Sequence, residues 1–299
     1  RSAMQVCINE KQYRYETDVK RSEPVRRAFT ELARQTFGLN FEPWYQSGYW
    51  TDNYMPHVLT DGNRAAANVS VNIFRTRWQG ESKLYIQLGT VMTGKEYRNR
   101  GLARWLMEAV LAEWRDRCGA LFLFANDGVL GFYPRFGFVP TCEYQYTLPF
   151  EGRGPDARKL DMNNSEDVKL LLNAYGTGNR FSAFPMTDNP GLLMFHCSQF
   201  MRDNIYYSGR SKAVIIADIA GDTLNCHDIY GGSSESMEGI LSSVAGKNTK
   251  QVRFGFTPAH RDSMKISVLK EEDTTLFMLT SKGNLFAENK LMFPVLSRA

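Results

Sequence analysis

Residues 98–104 read Arg-Asn-Arg-Gly-Leu-Ala-Arg and stand directly before an apolar helical pattern. Leu102, Trp105, Leu106, Ala109 and Val110 recur at the spacing of one helix face. The loop Arg98-Asn99-Arg100-Gly101-Leu102-Ala103 therefore opens at a helix N-terminus, where backbone N–H groups have no intrahelical partner. Those donors and the helix dipole favour an anion. Gly101 lets the backbone approach it closely, and Ala103 keeps the next position small. Arg98, Arg100 and Arg104 can add charge-assisted hydrogen bonds, and three cations at that end oppose the dipole unless an anion sits there. Taken alone, the stretch reads equally as a solvated basic turn that starts a helix. Other phosphate loops are excluded: the chain has no GxxxxGK[ST] and no GxGxxG followed by an acid about 20 residues on.

A second constellation is Asn-Asp-Gly-Val-Leu-Gly-Phe-Tyr-Pro-Arg-Phe-Gly-Phe, residues 126–138. Asn126 closes an apolar run of strand length, and Tyr133 follows one short turn later. A phenol with an ordinary pKa near 10 can give a proton to a leaving group. A half-buried packing tyrosine is the plain alternative. The five cysteines are scattered without a CxxC pair, which suits reduced, inert thiols and a cytoplasmic setting. The four histidines show neither HxxxH nor HExxH spacing, so no metal site is expected.

These residues need a scaffold of alternating strands and helices. The segment 22–38 is a helix, with Ser22 as cap, Pro24 in the first turn and Gly38 as terminator. Residues 57–74 form a hairpin around Asp61-Gly62, and 83–93 a further strand. The helix after Gly101 runs to about Arg117, and residues 120–125, Ala-Leu-Phe-Leu-Phe-Ala, read as a buried strand. The polar, glycine-rich stretch 151–161 reads as a linker. Beyond it come a helical region over 164–204, a hairpin over 213–230, a helix over 233–246 and a strand over 251–256. Strand, loop, helix and strand recur in the same order in both halves, which suggests a duplicated unit.

A length of 299 residues favours two domains, at about 150 residues each. No apolar run approaches the roughly 20 residues of a membrane helix. Of the 36 Lys and Arg, 19 lie in the first 150 residues with 15 of the 32 Asp and Glu, so the net charge of +4 belongs to that half. That excess is too small for a nucleic-acid surface and suits a local anion site.

Together the two constellations resemble the two signatures of the GNAT superfamily of N-acetyltransferases. Arg98-x-x-Gly101-x-Ala103 is similar to its Q/R-x-x-G-x-G/A acyl-CoA loop. Residues 126–138 resemble N-x-x-A-x-x-F/Y-Y-x-K-x-G-F, with Val129 for the alanine and Arg135 for the lysine. The resemblance implies an α/β (α+β) chain: a GNAT fold with a mixed, mostly antiparallel twisted sheet over 4–150, the linker 151–161, and a second, degenerate GNAT-like domain over 162–299. It further implies acetyl-CoA as cosubstrate. The backbone of Val91, Met92 and Thr93 would pair with the pantetheine arm. The loop Arg98, Asn99, Arg100, Gly101, Leu102, Ala103 and Arg104 would hold the coenzyme A pyrophosphate. Asn126 would bond the pantetheine or the helix above it, and Tyr133 would protonate the departing thiolate. The acceptor would be a small-molecule or peptide amine, attacking the thioester directly; a non-catalytic coenzyme A-binding module is the alternative. No general base is legible, because the matching strand carries Gln87 and no acid. Glu42, Asp52 and Glu81 lie in candidate acceptor regions, with a surface role as the plain alternative for each. The aromatic stretch Phe41, Trp44, Tyr45, Tyr49, Trp50 and Tyr54 falls where an acceptor pocket would lie, with local core packing as the plain alternative. The second half's loop, Ile-Tyr-Gly-Gly-Ser-Ser-Glu-Ser, lacks arginine, and its apolar final stretch should dock rather than fray.

Overall fold

The computed structural model describes residues 3–232, 234–281 and 283–299. The first half runs β1 (Ala3–Ile8), β2 (Lys11–Glu16), α1 (Glu23–Phe37), α2 (Glu42–Gln46), β3 (Tyr54–Asp61), β4 (Arg64–Trp78), β5 (Glu81–Thr93), α3 (Leu102–Trp114), β6 (Ala120–Ala125), β7 (Val139–Thr141) and β8 (Glu143–Pro149). The second half runs β9 (Arg158–Lys159), α4 (Ser165–Thr177), α5 (Pro190–Cys197), β10 (Ile205–Ser208), β11 (Ala213–Ala220), β12 (Thr223–Gly231), α6 (Met237–Ser242), β13 (Gln251–Phe254), β14 (Lys265–Leu269), β15 (Thr275–Thr280) and α7 (Leu285–Glu288). Among the described residues no helix is long and apolar enough to cross a membrane.

Local rules account for most boundaries. Pro24 sits in the first turn of α1, and Gly38 ends it at φ 69°, a left-handed cap that suits glycine. The β3–β4 hairpin pairs Asp61 with Arg64, so its central residues are Gly62 and Asn63, one position later than the sequence suggests. The helical region expected over 164–204 contains α4 and α5, separated by an irregular stretch; Asn164 caps α4 and Asn189 caps α5 through their side chains. The helix expected over 233–246 shortens to α6, and Ser233 lies outside the described residues.

The strands form two mixed sheets, ordered β1-β2-β3-β4-β5-β6-β15-β7 and β14-β8-β13-β12-β11-β10-β9. Each holds one parallel pair, β5 with β6 and β12 with β13, bridged by α3 and α6 respectively. Each also borrows a strand across the linker. From the second half β15 enters between β6 and β7, and from the first half β8 enters between β13 and β14. The exchange is symmetrical, as a duplicated unit would make it. The 151–161 segment lies along the second sheet, with Gly152 N–H on the Thr249 carbonyl and β9 paired to β10.

α3 buries Leu102, Leu106 and Val110 against the first sheet, and α1 buries Phe29, Leu32 and Ala33 on its other face. Each of these leucine, valine and phenylalanine side chains contributes about 1.5–3 kcal/mol by leaving water. Leu106→Ala, at a fully buried position, would cost about 2–5 kcal/mol. The stretch proposed from sequence as an acceptor pocket is core instead: Phe41, Trp44, Trp50 and Tyr54 are all buried. Phe41 stacks on Phe195 at 5.6 Å, and the Trp44 indole donates to the Gly191 carbonyl at 2.8 Å, so these rings bolt the two halves together.

Candidate functional site

β5 and β6 are hydrogen-bonded neighbours only over Tyr85–Gln87 and Ala120–Phe122. Beyond those pairs the two strands part. A cavity of about 850 Å³ occupies the opening, walled by residues 88–93 of β5 and 123–126 of β6 with its following loop. Parallel strands that splay in this way leave main-chain groups on facing edges without a ladder partner.

β5 also departs from β4 here. Ser70 pairs with Gly89 and Asn68 with Met92, so Val69 faces both Thr90 and Val91, a β-bulge. Thr90 sits at φ 46°, a left-handed conformation that a β-branched residue rarely adopts and that costs on the order of 1–3 kcal/mol. Val91, Met92 and Thr93 continue along the cavity wall.

After β5 the chain turns through 95–101 into α3. Arg98 and Ala103 join the wall. Gly101 is the N-cap, at φ 77°, and no side chain caps the first turn of this 13-residue helix. Asn99, Arg100, Gly101, Leu102 and Arg104 are not part of the wall. The Arg100 guanidinium stands 5.8 Å from the Tyr97 ring centroid and its carbonyl accepts from Asn9 Nδ2; Arg104 pairs with Glu108 at 3.0 Å.

Tyr133 enters the wall from the short helical turn after β6. Its ring, 4% exposed, packs against Phe132, Phe138 and Phe277 of β15. Burial pushes the phenol up to about 12, so it is protonated at neutral pH. No partner for its hydroxyl exists among the described residues. Asn126 also lines the cavity, and its Nδ2 donates to Asp273 Oδ2 at 3.1 Å.

The second half completes the wall with Asp273, Thr274, Arg298 and Ala299. Residues 291–297 dock as the sequence suggests, with Leu291, Met292, Phe293 and Leu296 fully buried. Gln87, 2% exposed, bonds this stretch with both ends of its amide. The neutral His196 ring, pushed down to about 4 by burial, donates from Nε2 to the Arg298 carbonyl at 2.7 Å. The Arg298 guanidinium is gripped by Glu271 at 2.6 Å and faces Glu143 at 3.4 Å. Burial outweighs that cation and raises Glu143 to about 7. Gly89 permits the approach: a Cβ there would meet the Ala299 oxygen at 2.8 Å. These residues are missed by motif reading because they meet β5 from some 200 residues away, and only the apolarity of the final stretch hints at docking.

Glu42, Asp52 and Glu81 lie outside the wall. Glu42 pairs with Arg26 at 3.0 Å, Asp52 with Lys20 and Arg21, and Glu81 lies 3.9 Å from Lys83. Besides the paired Arg298, the wall holds Arg98 and Arg135 against one carboxylate side chain, Asp273, which suits an anionic ligand. Among the described residues no cluster of three or more His, Cys, Asp or Glu side chains could hold a metal.

The corresponding place in the second half is shut. Gly255 N–H donates to the Cys226 carbonyl, so β13 stays against β12, and Val295 closes on the Gly255 carbonyl. In the loop there, the Gly232 and Glu235 carbonyls accept from the Arg180 guanidinium.

Comparison with known proteins agrees with this architecture. In fold the chain is similar to a probable N-acyltransferase of unknown function from Enterococcus faecalis, at 13% identity and a TM-score of 0.59, over 90% of this chain and 72% of that one. It is similar likewise to a GCN5-related N-acetyltransferase from Kribbella flavida, at 13% identity and a TM-score of 0.51, over 88% and 71%. A third likeness is to Eis1 from Mycobacterium abscessus, at 16% identity and a TM-score of 0.50, over 84% and 69%. No curated protein matches the chain in sequence. Residues 22–141, which carry α1, the splayed strands, α3 and Tyr133, match the family model described as an acetyltransferase (GNAT) domain, and the chain thus carries a GNAT acetyltransferase domain in its first half.

Proposed function

We propose that this chain is an acyl-CoA-dependent N-acyltransferase that moves an acetyl group from acetyl-CoA to a primary amine. The observation that carries the reading is the splay of β5 and β6 around a cavity lined by Arg98, by Ala103 in the uncapped first turn of α3, and by Tyr133. A pantetheine arm fits between the parted strands, with its amides against the free main chain of Val91, Met92 and Thr93. The pyrophosphate fits over the 98–104 loop, held by backbone N–H groups and Arg98. The amine lone pair attacks the thioester carbon, a C–N bond forms and the C–S bond breaks. Tyr133 gives its proton to the departing sulfur and regains one from solvent, to which the amine's surplus proton passes. Rate comes from positioning and proton handling rather than from a covalent intermediate.

Residues 4–150 form the catalytic unit in this reading, and 162–299 a degenerate copy joined through 151–161. The shut cleft and the Arg180-filled loop support an inactive second copy. The acceptor is an amine of a small molecule or peptide. Thiol release from acetyl-CoA across a panel of amines, with Tyr133→Phe as control, tests the proposal. Binding of coenzyme A without turnover on any amine would instead make the chain a non-catalytic coenzyme A-binding module.

A further inference from the structure

Thr90 is the residue in the cavity wall whose backbone most needs an explanation. A β-branched residue at positive φ persists only where its surroundings over-determine it. Here a directed chain of hydrogen bonds does so. Asn68 Nδ2 donates to Ser70 Oγ at 2.9 Å and to the Thr90 carbonyl at 2.9 Å. Ser70 Oγ donates to the Tyr54 hydroxyl at 2.9 Å. The Tyr54 proton is therefore left for Thr90 Oγ1, 2.7 Å away. Thr90 is held at its carbonyl and at its hydroxyl by groups that are themselves buried. In a dry interior such a network is rigid, and losing a member is costly.

The anchor of the chain cannot drift. The Tyr54 ring stacks on Phe41 at 5.5 Å and meets Trp44 and Trp50 edge-on at 5.6 and 5.7 Å. The Trp50 indole donates to the Tyr54 carbonyl at 3.0 Å. The buried rings of the aromatic stretch thus fix the hydroxyl that fixes the bulge.

We propose that Tyr54 is a positioning residue for acyl transfer, holding Thr90 in the left-handed conformation that keeps the β5 bulge open to the cavity. The inference rests on the transfer reading above. Main-chain groups at the bulge stand where the thioester end of the cosubstrate would lie, and a misplacement of about 1 Å there can cost on the order of a hundredfold in rate.

The test is a double-mutant cycle between Tyr54→Phe and Thr90→Gly, because glycine takes a positive φ without strain. Tyr54→Phe is expected to lower kcat about ten- to a hundredfold, by the same positioning argument. In the Thr90→Gly background the same change should leave kcat within about twofold, since the conformation no longer needs the hydroxyl. A crystal structure of Tyr54→Phe should show Thr90 at negative φ. A purely structural role for Tyr54 would not be relieved by glycine at position 90. Full turnover by Tyr54→Phe, or an equal loss in both backgrounds, overturns this role alone. A wild-type chain that releases no thiol with any amine overturns the transfer reading and this role with it. If Tyr54→Phe fails to fold, Ser70→Ala removes the donor behind Tyr54 without touching the aromatic cluster, and the same cycle applies.

Discussion

Gln87 clasps Ala299. Its Oε1 accepts the Ala299 N–H at 3.1 Å, while its Nε2 donates to the Ser297 carbonyl at 2.7 Å. One amide on the central strand of the first half thereby sets where the final residues of the second half enter the cavity. Gln87→Leu keeps the volume and removes both bonds, leaving a buried carbonyl without its donor. Stability should fall by about 1–3 kcal/mol, read as a lower midpoint in urea at unchanged m-value. An unchanged midpoint would mean that the clasp is decorative.

Arg98 and Arg100 differ in place. Arg98 is in the wall, whereas Arg100 lies outside it beside the Tyr97 ring. Arg98→Glu should weaken coenzyme A binding by more than about tenfold, since a charge-assisted bond is worth about 1.5–3 kcal/mol. Arg100→Glu should have a smaller effect. Calorimetric titration with coenzyme A measures both, and circular dichroism checks that the fold is intact. Equal losses would place both side chains on the ligand.

Tyr133→Phe should lower kcat by about 10²–10⁴ while leaving coenzyme A affinity unchanged. Because burial raises the phenol to about 12, the wild-type rate should show no loss from Tyr133 ionisation up to pH 10. An alkaline limb below pH 10 that vanishes in Tyr133→Phe would contradict the buried, protonated phenol.

Asp228 provides a pH test of the second half. It is buried with Asn179, Tyr230 and the Ile229 N–H as its partners, and burial lifts its carboxyl from 3.8 to about 6. A raised folded-state pKa contributes stability that is full below the unfolded value and is lost as pH rises through about 6. The stability of wild type relative to Asp228→Asn should therefore fall by up to about 3 kcal/mol between pH 4 and 7. Denaturant unfolding of both proteins at those pH values checks it, and a constant difference would contradict it.

Much of the scaffold is legible in one dimension because its causes are local. Gly38 and Pro24 bound α1, the alternation of α3 declares its face, and the apolar run 120–125 is a buried strand. The cavity's own-half wall, Val91 to Thr93, Arg98, Ala103, Asn126 and Tyr133, clusters in sequence around two motifs for the same reason. The six-residue α6 and the stretch between α4 and α5 are less legible, since packing rather than periodicity decides them.

By itself the sequence determined the fold class, the main strands and helices of the first half, and the nomination of an anion-binding helix start followed by a tyrosine. Tertiary structure alone decided the exchange of β8 and β15 between sheets, the arrival of Asp273, Arg298 and Ala299 at the cavity, and the burial of Phe41, Trp44, Trp50 and Tyr54. The physical reason is range. Helix caps, turns and alternating faces are set by neighbours a few residues apart. A strand's partner and a ring's burial depend on which distant surfaces meet, and no local pattern encodes that meeting.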